Sequence, residues 1–296
     1  MTHTPIVVGF DGSACSRGAL EWALDEARVR NAPIEVVYAL IPTAATLPPG
    51  HGFSVPDEDI QMKEADIILS EGKSFAALTA PSVEVTTGVT RDSAVEALLK
   101  RGENADLVAV GSRGLGSFVE LLLGSTSFQL ASHAKSPTIV VRPTSKESEG
   151  GQEAGRIVVG IDGSRVSEIA LAFALQEASL RGVGLTILAA WDIPYLDLTG
   201  GRVGAMPRDI IDTEDQEVRT MLAEIAAGSQ ERYPDVDIRR EVVAGKAVQV
   251  LVEASRGAEM LVVGSRGRGG FRSLLLGSVS HGVLHHAQCT TAVVRG

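Results

Sequence analysis

The chain contains one sequence pattern twice. The segment Ile6-Val-Val-Gly-Phe-Asp-Gly-Ser13 returns as Ile157-Val-Val-Gly-Ile-Asp-Gly-Ser164, and Val110-Gly-Ser-Arg-Gly114 returns as Val263-Gly-Ser-Arg-Gly267. The copies start about 150 residues apart, which is an ordinary size for one domain. Because the repeat spans this length, we predict two domains with the same fold.

The segment between the copies is polar and rich in glycine. Residues 145–155 read Ser-Lys-Glu-Ser-Glu-Gly-Gly-Gln-Glu-Ala-Gly, a composition typical of a solvated linker. We therefore place the first domain at residues 1–144, the linker at 145–155 and the second domain at 156–296. A domain of this size buries roughly 68–70% of the surface of its unfolded chain, so each half can hold its own core.

Short apolar runs alternate with helical patterns in each copy. In the first copy, the predicted strands are Ile6–Phe10, Ile34–Leu40, Val83–Thr87, Leu107–Gly111 and Thr138–Val141. The predicted helices of that copy are Ser16–Asn31, Asp57–Thr79, Ser93–Arg101 and Ser125–His133. This alternation predicts an α/β fold of two tandem, doubly wound, Rossmann-like open sheets, each with about five parallel strands. Such sheets bind ligands at the carboxyl ends of their strands.

A glycine pattern follows the fourth predicted strand of each copy. Nine residues separate Gly111-Ser-Arg-Gly114 from Gly124-Ser125, and nine separate Gly264-Ser-Arg-Gly267 from Gly277-Ser278. Glycines permit φ > 0 and a close approach of phosphate oxygens to the backbone. The second glycine-serine pair opens a helix, whose N–H groups and dipole favour an anion, and the serine hydroxyl is available to a phosphate or to Mg²⁺. The pattern therefore predicts a polyphosphate site in each half.

The pattern Gly-x2-Gly-x9-Gly-Ser, with Val-Gly-x-Asp-Gly-Ser at the start of each domain, resembles the ATP-binding branch of the universal stress protein family. The resemblance covers nearly the whole chain. It implies a five-stranded parallel sheet in each domain, ATP bound without a Walker A loop, frequent dimerisation, and a role in stress survival or growth restraint.

The resemblance also implies roles for individual residues. It assigns phosphate contacts to Gly111, Ser112, Arg113, Gly114, Gly116, Gly124 and Ser125, and to Gly264, Ser265, Arg266, Gly267, Gly269, Gly277 and Ser278. It assigns the nucleoside side of each site to Gly9, Asp11 and Ala39, and to Gly160, Asp162 and Ala190. The alternative for the two aspartates is that they only cap the turn that follows them.

The copies differ in two places near the expected sites. The second copy has Gly245 where the first has Asp92, and the loops Pro42–Pro56 and Ile193–Pro207 differ in proline and glycine content. We expect these loops to cover the base, so the two nucleotide affinities are expected to differ.

Other candidate motifs are weaker. Gly72-Lys73-Ser74 resembles the end of a Walker A loop, but Ile67 stands where that loop needs a glycine, and the segment lies in a predicted helix. His281 and His285 stand one helical turn apart without an acidic or cysteine partner at helical spacing, which favours a surface role. Cys15 follows the first strand, and we interpret it as a small loop residue rather than a redox centre.

Composition limits the partners and the compartment. The net charge is −10 without a Lys/Arg-rich run, whereas non-specific nucleic-acid binding needs a basic face, so DNA and RNA are not expected partners. Cys15 and Cys289 lie in different halves, which favours a reducing compartment. Residues 1–5 lack the pattern of a signal peptide, and no apolar run approaches ~18 residues, so we expect a cytoplasmic protein without membrane contact.

Three classes of function remain open. The first is a regulatory ATP-binding protein with slow hydrolysis and an unidentified protein partner. The second is an ATP-dependent enzyme, such as a slow ATPase or a ligase, which needs a catalytic base that does not recur with the glycines. The third is an interaction module that does not depend on nucleotide. We also expect self-association, within the chain or as a homodimer, through Thr138–Val141 and Thr291–Val294 if these last strands lie at sheet edges.

Overall fold

A computed structural model describes residues 4–40, 57–114, 123–142, 151–192, 197–198, 202–203, 208–269 and 275–296. The chain forms two compact units, Met1–Pro143 and Thr144–Gly296. Within the described residues, no helix combines the length and the hydropathy that a membrane span requires.

The first unit alternates strands and helices. Its elements are β1 (Ile6–Gly9), α1 (Ala14–Arg30), β2 (Ile34–Ala39), α2 (Glu58–Thr79), β3 (Val85–Thr90), α3 (Ala94–Gly102), β4 (Leu107–Gly111), α4 (Ser125–His133) and β5 (Thr138–Val141). The strand order is β3-β2-β1-β4-β5, and every neighbouring pair is parallel. Helix α1 packs with α2, and α3 packs with α4, so the helices cover the sheet as two layers.

The second unit repeats this arrangement. Its elements are β6 (Ile157–Ile161), α5 (Arg165–Arg181), β7 (Leu185–Trp191), β8 (Asp197–Leu198), β9 (Arg202–Val203), α6 (Arg208–Ile225), α7 (Ser229–Arg232), β10 (Ile238–Ala244), α8 (Ala247–Ala254), β11 (Met260–Gly264), α9 (Ser278–His286) and β12 (Thr290–Val294). The parallel strands lie in the order β10-β7-β6-β11-β12, and β8 and β9 form a short antiparallel pair.

Each sheet has one point at which its strand order reverses. In the first unit, β1 is paired with β2 on one side and with β4 on the other, and β6 lies in the same way between β7 and β11. The connection after β1 leads to β2 on one side, and the connection after β4 leads to β5 on the other. The same holds for β6 and β11, so a crevice opens beyond the carboxyl ends of these adjacent strands.

Local sequence explains where the first helix of each unit begins and ends. The Ser13 hydroxyl accepts a hydrogen bond from the Ser16 amide (3.2 Å), and Ser164 caps Ser167 at the same distance. Helix α1 ends at Asn31 in the left-handed conformation (φ 52°), and α5 ends at Gly182 (φ 65°). These are the preferred residue types for an N-cap and a left-handed C-cap.

The third strand of the first unit begins later than predicted. The sequence indicated Val83–Thr87, whereas β3 spans Val85–Thr90. The Val83 amide donates instead to the carbonyl of Ala80 (3.0 Å). The turn that ends α2 therefore uses the hydrogen-bonding group that Val83 would need in the sheet.

The last residues of the predicted linker lie against the second unit. Glu153 is only 4% exposed; its carboxylate accepts a hydrogen bond from the Thr186 hydroxyl and lies 3.7 Å from the Arg156 guanidinium. Arg156 also pairs with Asp237 (2.5 Å). The buried Glu153, Thr186 and Arg156 thus satisfy one another at the start of β6, and Arg156 reaches the exposed Asp237 as well.

Candidate functional site

A cavity opens at the reversal point of each unit. The cavity of the first unit has a volume of about 560 Å³ and that of the second about 490 Å³. Both fall in the range of about 300–1,000 Å³ that is typical of small-molecule sites.

Most of the site residues expected from the sequence line these cavities. In the first unit these are Gly9, Asp11, Ala39, Gly111, Arg113, Gly114, Gly124 and Ser125. In the second they are Gly160, Asp162, Ala190, Gly264, Arg266, Gly267, Gly269, Gly277 and Ser278. Strands β1, β2 and β4, with the start of α4, thus bring together residues that are far apart in the sequence.

Ser112 and Ser265 are the exceptions among the described residues. They are 1% and 0% exposed and are not among the residues that line the cavities. Their amides donate to the carbonyls of Val141 (2.9 Å) and Val294 (2.7 Å). Because the neighbouring strand already takes these amides, the expected phosphate contact from Ser112 and Ser265 is not supported.

Several expectations fall on residues that the structure does not describe. Gly116 lies outside the described residues, as does the loop Pro42–Pro56. Within the loop Ile193–Pro207, the structure describes only strands β8 and β9. Asp92 and Gly245, at which the copies differ, do not line the cavities.

The two aspartates both cap a turn and face the glycine loop. Asp162 accepts hydrogen bonds at Oδ1 from the Ser164 amide (3.0 Å) and hydroxyl (2.7 Å), and at Oδ2 from the Arg268 amide (2.8 Å). Asp11 accepts one at Oδ1 from the Ser13 amide (3.0 Å). Both aspartates therefore cap the turn that follows them. Each also contacts the glycine loop, Asp162 through the Arg268 amide and Asp11 through its position beside Gly114.

The hydrogen bonds to Asp162 decide the direction of its pKa shift. Burial alone raises the pKa of this carboxyl group, but the donors of Ser164, Arg268 and Ser167 together lower it below its ordinary value. Donors that stabilise the charged form have this effect. Asp162 is therefore a firmly ionised carboxylate at neutral pH.

The loop contains glycines because other groups lie close to its backbone, not because its backbone has positive φ. Among the described residues, glycines with positive φ include Gly12 and Gly163, directly after the aspartates, but none of the described loop glycines. A Cβ on Gly114 would lie 2.6 Å from Oδ2 of Asp11, and one on Gly267 would overlap the Asp162 carboxylate. The expectation of φ > 0 in the loop is therefore wrong for its described glycines, because a neighbouring carboxylate fills the space that a side chain would take.

The strand glycines follow the same rule. A Cβ on Gly9 would lie 2.9 Å from Leu98 of α3, and one on Gly160 would lie 3.1 Å from Leu251 of α8. Both leucines line the cavities. Because Gly9 and Gly160 have no side chain, Leu98 and Leu251 can pack against the strand and form one wall of each cavity.

The first turns of α4 and α9 face their cavities without a side-chain cap. The N-cap residues are Gly124 and Gly277, which make no side-chain cap hydrogen bond. The first N–H groups of a helix have no acceptor within the helix. The positive end of the helix dipole adds to these donors, so each cavity has an anion-binding end.

Four serines that were not among the expected site residues also line the cavities: Ser16, Ser127, Ser167 and Ser280. Ser127 donates to the carbonyl of Gly111 (2.7 Å), and Ser280 donates to that of Gly264 (2.5 Å). These bonds attach the first turn of α4 or α9 to the end of the strand before the loop. The repeated Gly-Ser-x-Ser sequence is the signal that could have identified Ser127 and Ser280.

The first cavity holds a tyrosine at the end of β2. Burial raises the pKa of the Tyr38 hydroxyl, and the carboxylates of Glu64 and Asp11 raise it further. Tyr38 is thus a neutral hydrogen-bond donor in this cavity. The aligned residue of the second copy is Ala189.

The weaker sequence candidates lie outside both cavities. Gly72 is buried within α2, where a Cβ would lie 3.0 Å from the Phe10 ring, so Gly72-Lys73-Ser74 forms no phosphate loop. His281 and His285 lie side by side on α9 with ring centroids 4.7 Å apart and ring planes tilted by 35°. Within the described part of the chain, no group of three or more His, Cys, Asp or Glu side chains could hold a metal ion.

The fold defines a tandem α/β protein with a cavity at the carboxyl edge of each sheet. The model of the universal stress protein family matches residues 2–142 and again 153–295. The chain therefore belongs to the universal stress protein family, with two copies of the family domain.

Relatives and solved structures agree with this assignment. A universal stress protein of Mycolicibacterium smegmatis is 35% identical over 300 residues, which covers 99% of this chain and 98% of the relative. A universal stress protein of Mycobacterium tuberculosis is 36% identical over 304 residues, covering 98% and 96%. The crystal structure of a universal stress protein from Archaeoglobus fulgidus is 20% identical with a TM-score of 0.67, over 99% of this chain and 96% of that one, and shows the same fold.

Proposed function

We infer that each half binds ATP, and that the protein is a nucleotide-responsive regulator of stress survival or growth. One observation carries this inference: each cavity joins an apolar slot at the strand ends to an uncapped helix N-terminus. This combination suits a ligand with a flat apolar base and an anionic tail.

Different residues of each cavity fit the base and the phosphates of ATP. Val37, Leu98 and Val110 line the first cavity, and Leu188, Leu251 and Val263 line the second, so these apolar walls would hold the base. The first turn of α4 or α9, with Arg113 or Arg266, would hold the phosphates. Ser125 and Ser278 are exposed and offer a hydroxyl to a phosphate or to Mg²⁺ that arrives with the nucleotide.

The same cavities give little support to fast hydrolysis. Among the described lining residues, the carboxylate of each cavity is Asp11 or Asp162, and neither cavity is lined by histidine. The pKa of Asp162 is lowered by its donors, which makes this carboxylate a weak general base. We therefore favour occupancy, rather than turnover, as the signal that a protein partner would sense.

Self-association remains part of the proposal. Strand β5 lies at one end of the five strands of the first unit, and β12 at one end of those of the second. A strand at the end of a sheet can pair with a further strand through its backbone groups. The pairing would join the two halves of one chain or two copies of the chain.

The direct test is to identify the ligand. The protein is purified gently and denatured, and the released small molecules are identified by mass spectrometry. We expect adenine nucleotide in amounts comparable to the protein. Protein that releases no nucleotide and shows no heat on titration with Mg-ATP would favour a nucleotide-independent interaction module.

A further inference from the structure

The two glycine loops differ in charge. Between Gly267 and Gly277 the sequence contains Arg268 and Arg272, whereas between Gly114 and Gly124 the sole charged residue is Glu120. Of these three charged residues, Arg268 lies among the described residues. Its aligned position in the first copy is Leu115.

Arg268 is held at the edge of the second cavity. Its amide donates to Asp162 Oδ2 (2.8 Å), which fixes its backbone beside the end of β6. Its guanidinium lies over Gly163, where a Cβ would overlap it, and donates to the Gly163 carbonyl at 3.4 Å. This bond is at the long limit for N–H···O and Arg268 is exposed, so a phosphate can replace the carbonyl as acceptor at little cost.

Two further cations, Arg266 and Arg295, lie near this loop. The Arg295 guanidinium donates to the carbonyl of Leu275 (2.8 Å), just before the helix that starts at Ser278. Burial lowers the pKa of Arg295, and the charge of Arg266 lowers it further. The charges of Arg266 and Arg295 therefore repel each other. The first copy has the aligned pair Arg113 and Arg142, so the difference between the two sites rests on Arg268.

The charged residues that line the two cavities differ by one arginine. The described charged residues that line the first cavity are Asp11 and Arg113, one of each sign. Those of the second are Asp162, Arg266 and Arg268, with one extra positive charge. A charge-assisted hydrogen bond to phosphate is roughly twice as strong as a neutral one, so the extra arginine favours ligands with more phosphate charge.

We propose that the two halves respond to different phosphate charge: the second site selects nucleoside polyphosphates through Arg268, while the first site discriminates little between ATP and AMP. This proposal rests on nucleotide binding by both cavities. The chain would then report the ratio of nucleotide forms rather than the amount of one nucleotide.

The test separates the two sites within the full-length chain. Gly114→Val leaves the second site and Gly267→Val leaves the first, since each valine takes space occupied by the facing aspartate. Each variant is titrated calorimetrically with ATP, ADP and AMP, first in excess Mg²⁺ and then in EDTA, which leaves the phosphate charge unneutralised. Circular dichroism checks that each variant is folded.

The second site should bind ATP at least about tenfold more tightly than AMP, since one charged hydrogen bond is worth about that factor. Arg268→Leu, which installs the residue type of the first copy, should remove most of this preference. Arg232→Leu, the same change at an exposed position on α7, should leave it intact. The first site should show a smaller ratio that Arg268→Leu does not change.

The possible failures are distinct. If no nucleotide binds either site even in Mg²⁺, the proposed function itself fails. If both sites bind with equal ATP-to-AMP ratios, if Arg268→Leu weakens ATP and AMP equally, or if the second site loses ATP in EDTA, only the charge-selection proposal fails. If a valine variant unfolds, Arg268→Leu is tested in the otherwise unaltered chain. The calorimetric titration with ATP should then lose the tighter of its two binding steps, while binding of AMP should not change.

Discussion

The carboxylate of Asp162 accepts a hydrogen bond of 2.8 Å from the backbone amide of Arg268. The turn after β6 is thereby joined to the loop after β11, although more than a hundred residues separate them. The same carboxylate fills the space beside Gly267 where a side chain would lie. The aspartate therefore shapes the loop directly, besides any contact that it makes with a ligand.

This relationship predicts a pH dependence of stability. The pKa of Asp162 is lower in the folded protein than its ordinary value of 3.8, so its stabilising effect is present above that value and is lost as the pH falls through the folded pKa. The difference in free energy of unfolding between wild type and Asp162→Asn should be largest near neutral pH and should shrink below about pH 4. Denaturation with urea at several pH values measures it. Asp212→Asn, at an exposed position, is the control and should show no such trend.

The glycine that faces Asp11 should be essential for binding. A Cβ on Gly114 would lie 2.6 Å from Oδ2 of Asp11, so Gly114→Val should displace the carboxylate and close the first site. ATP at ~100 times its dissociation constant stabilises a site by about 2.7 kcal/mol, and the variant should lose this gain for one site in a thermal-shift assay. Gly18→Val is the control, because nothing lies within 4 Å of a Cβ there. A full ATP-induced shift in Gly114→Val would contradict the assignment.

Two serines of the same helical turn should behave differently. Ser127 is buried and donates to the carbonyl of Gly111 (2.7 Å), so Ser127→Ala should lower the free energy of unfolding by about 1–3 kcal/mol. Ser125 is exposed at the cavity, so Ser125→Ala should change stability by less than about 0.5 kcal/mol but weaken ATP binding. Chemical denaturation and calorimetry distinguish the two effects, and equal destabilisation by both substitutions would refute this division of roles.

Turnover should be slow. With the Asp162 carboxylate held by three donors, we expect phosphate release at saturating Mg-ATP well below the ~1–10³ s⁻¹ of metabolic enzymes. Gly114→Val and Gly267→Val together provide the blank for contaminating ATPases. Turnover above ~1 s⁻¹ that disappears in this double variant would favour the enzyme over the regulator.

Self-association is measured separately from binding. Light scattering at micromolar concentration should show a dimer if two copies of the chain pair through their terminal strands. A monomer at all concentrations, with and without ATP, would exclude pairing between copies and leave pairing within one chain.

Features that depend on residues adjacent in the sequence were predicted well. The strands Leu107–Gly111 and Thr138–Val141 and the helix Ser125–His133 have their predicted bounds, because β-branched runs and a glycine-serine helix start are local signals. The duplication revealed the tandem architecture, and the family assignment agrees with it. Hydrophobic pattern and chain alternation sufficed for the fold class because only a parallel sheet with helical crossovers buries such strands on both faces.

The tertiary structure decided what the glycines and serines do. The sequence predicted positive φ in the loop, but the need for glycine arises from carboxylates that arrive from another strand, as Asp11 does at Gly114. The buried roles of Ser112 and Ser265, and the bonds of Ser127 and Ser280 across the loop, depend in the same way on which strand end lies beside which helix. Periodicity along the chain contains no distances between distant residues. These contacts, and the position of Arg268 at the second cavity beside Asp162, were therefore decided by the tertiary structure.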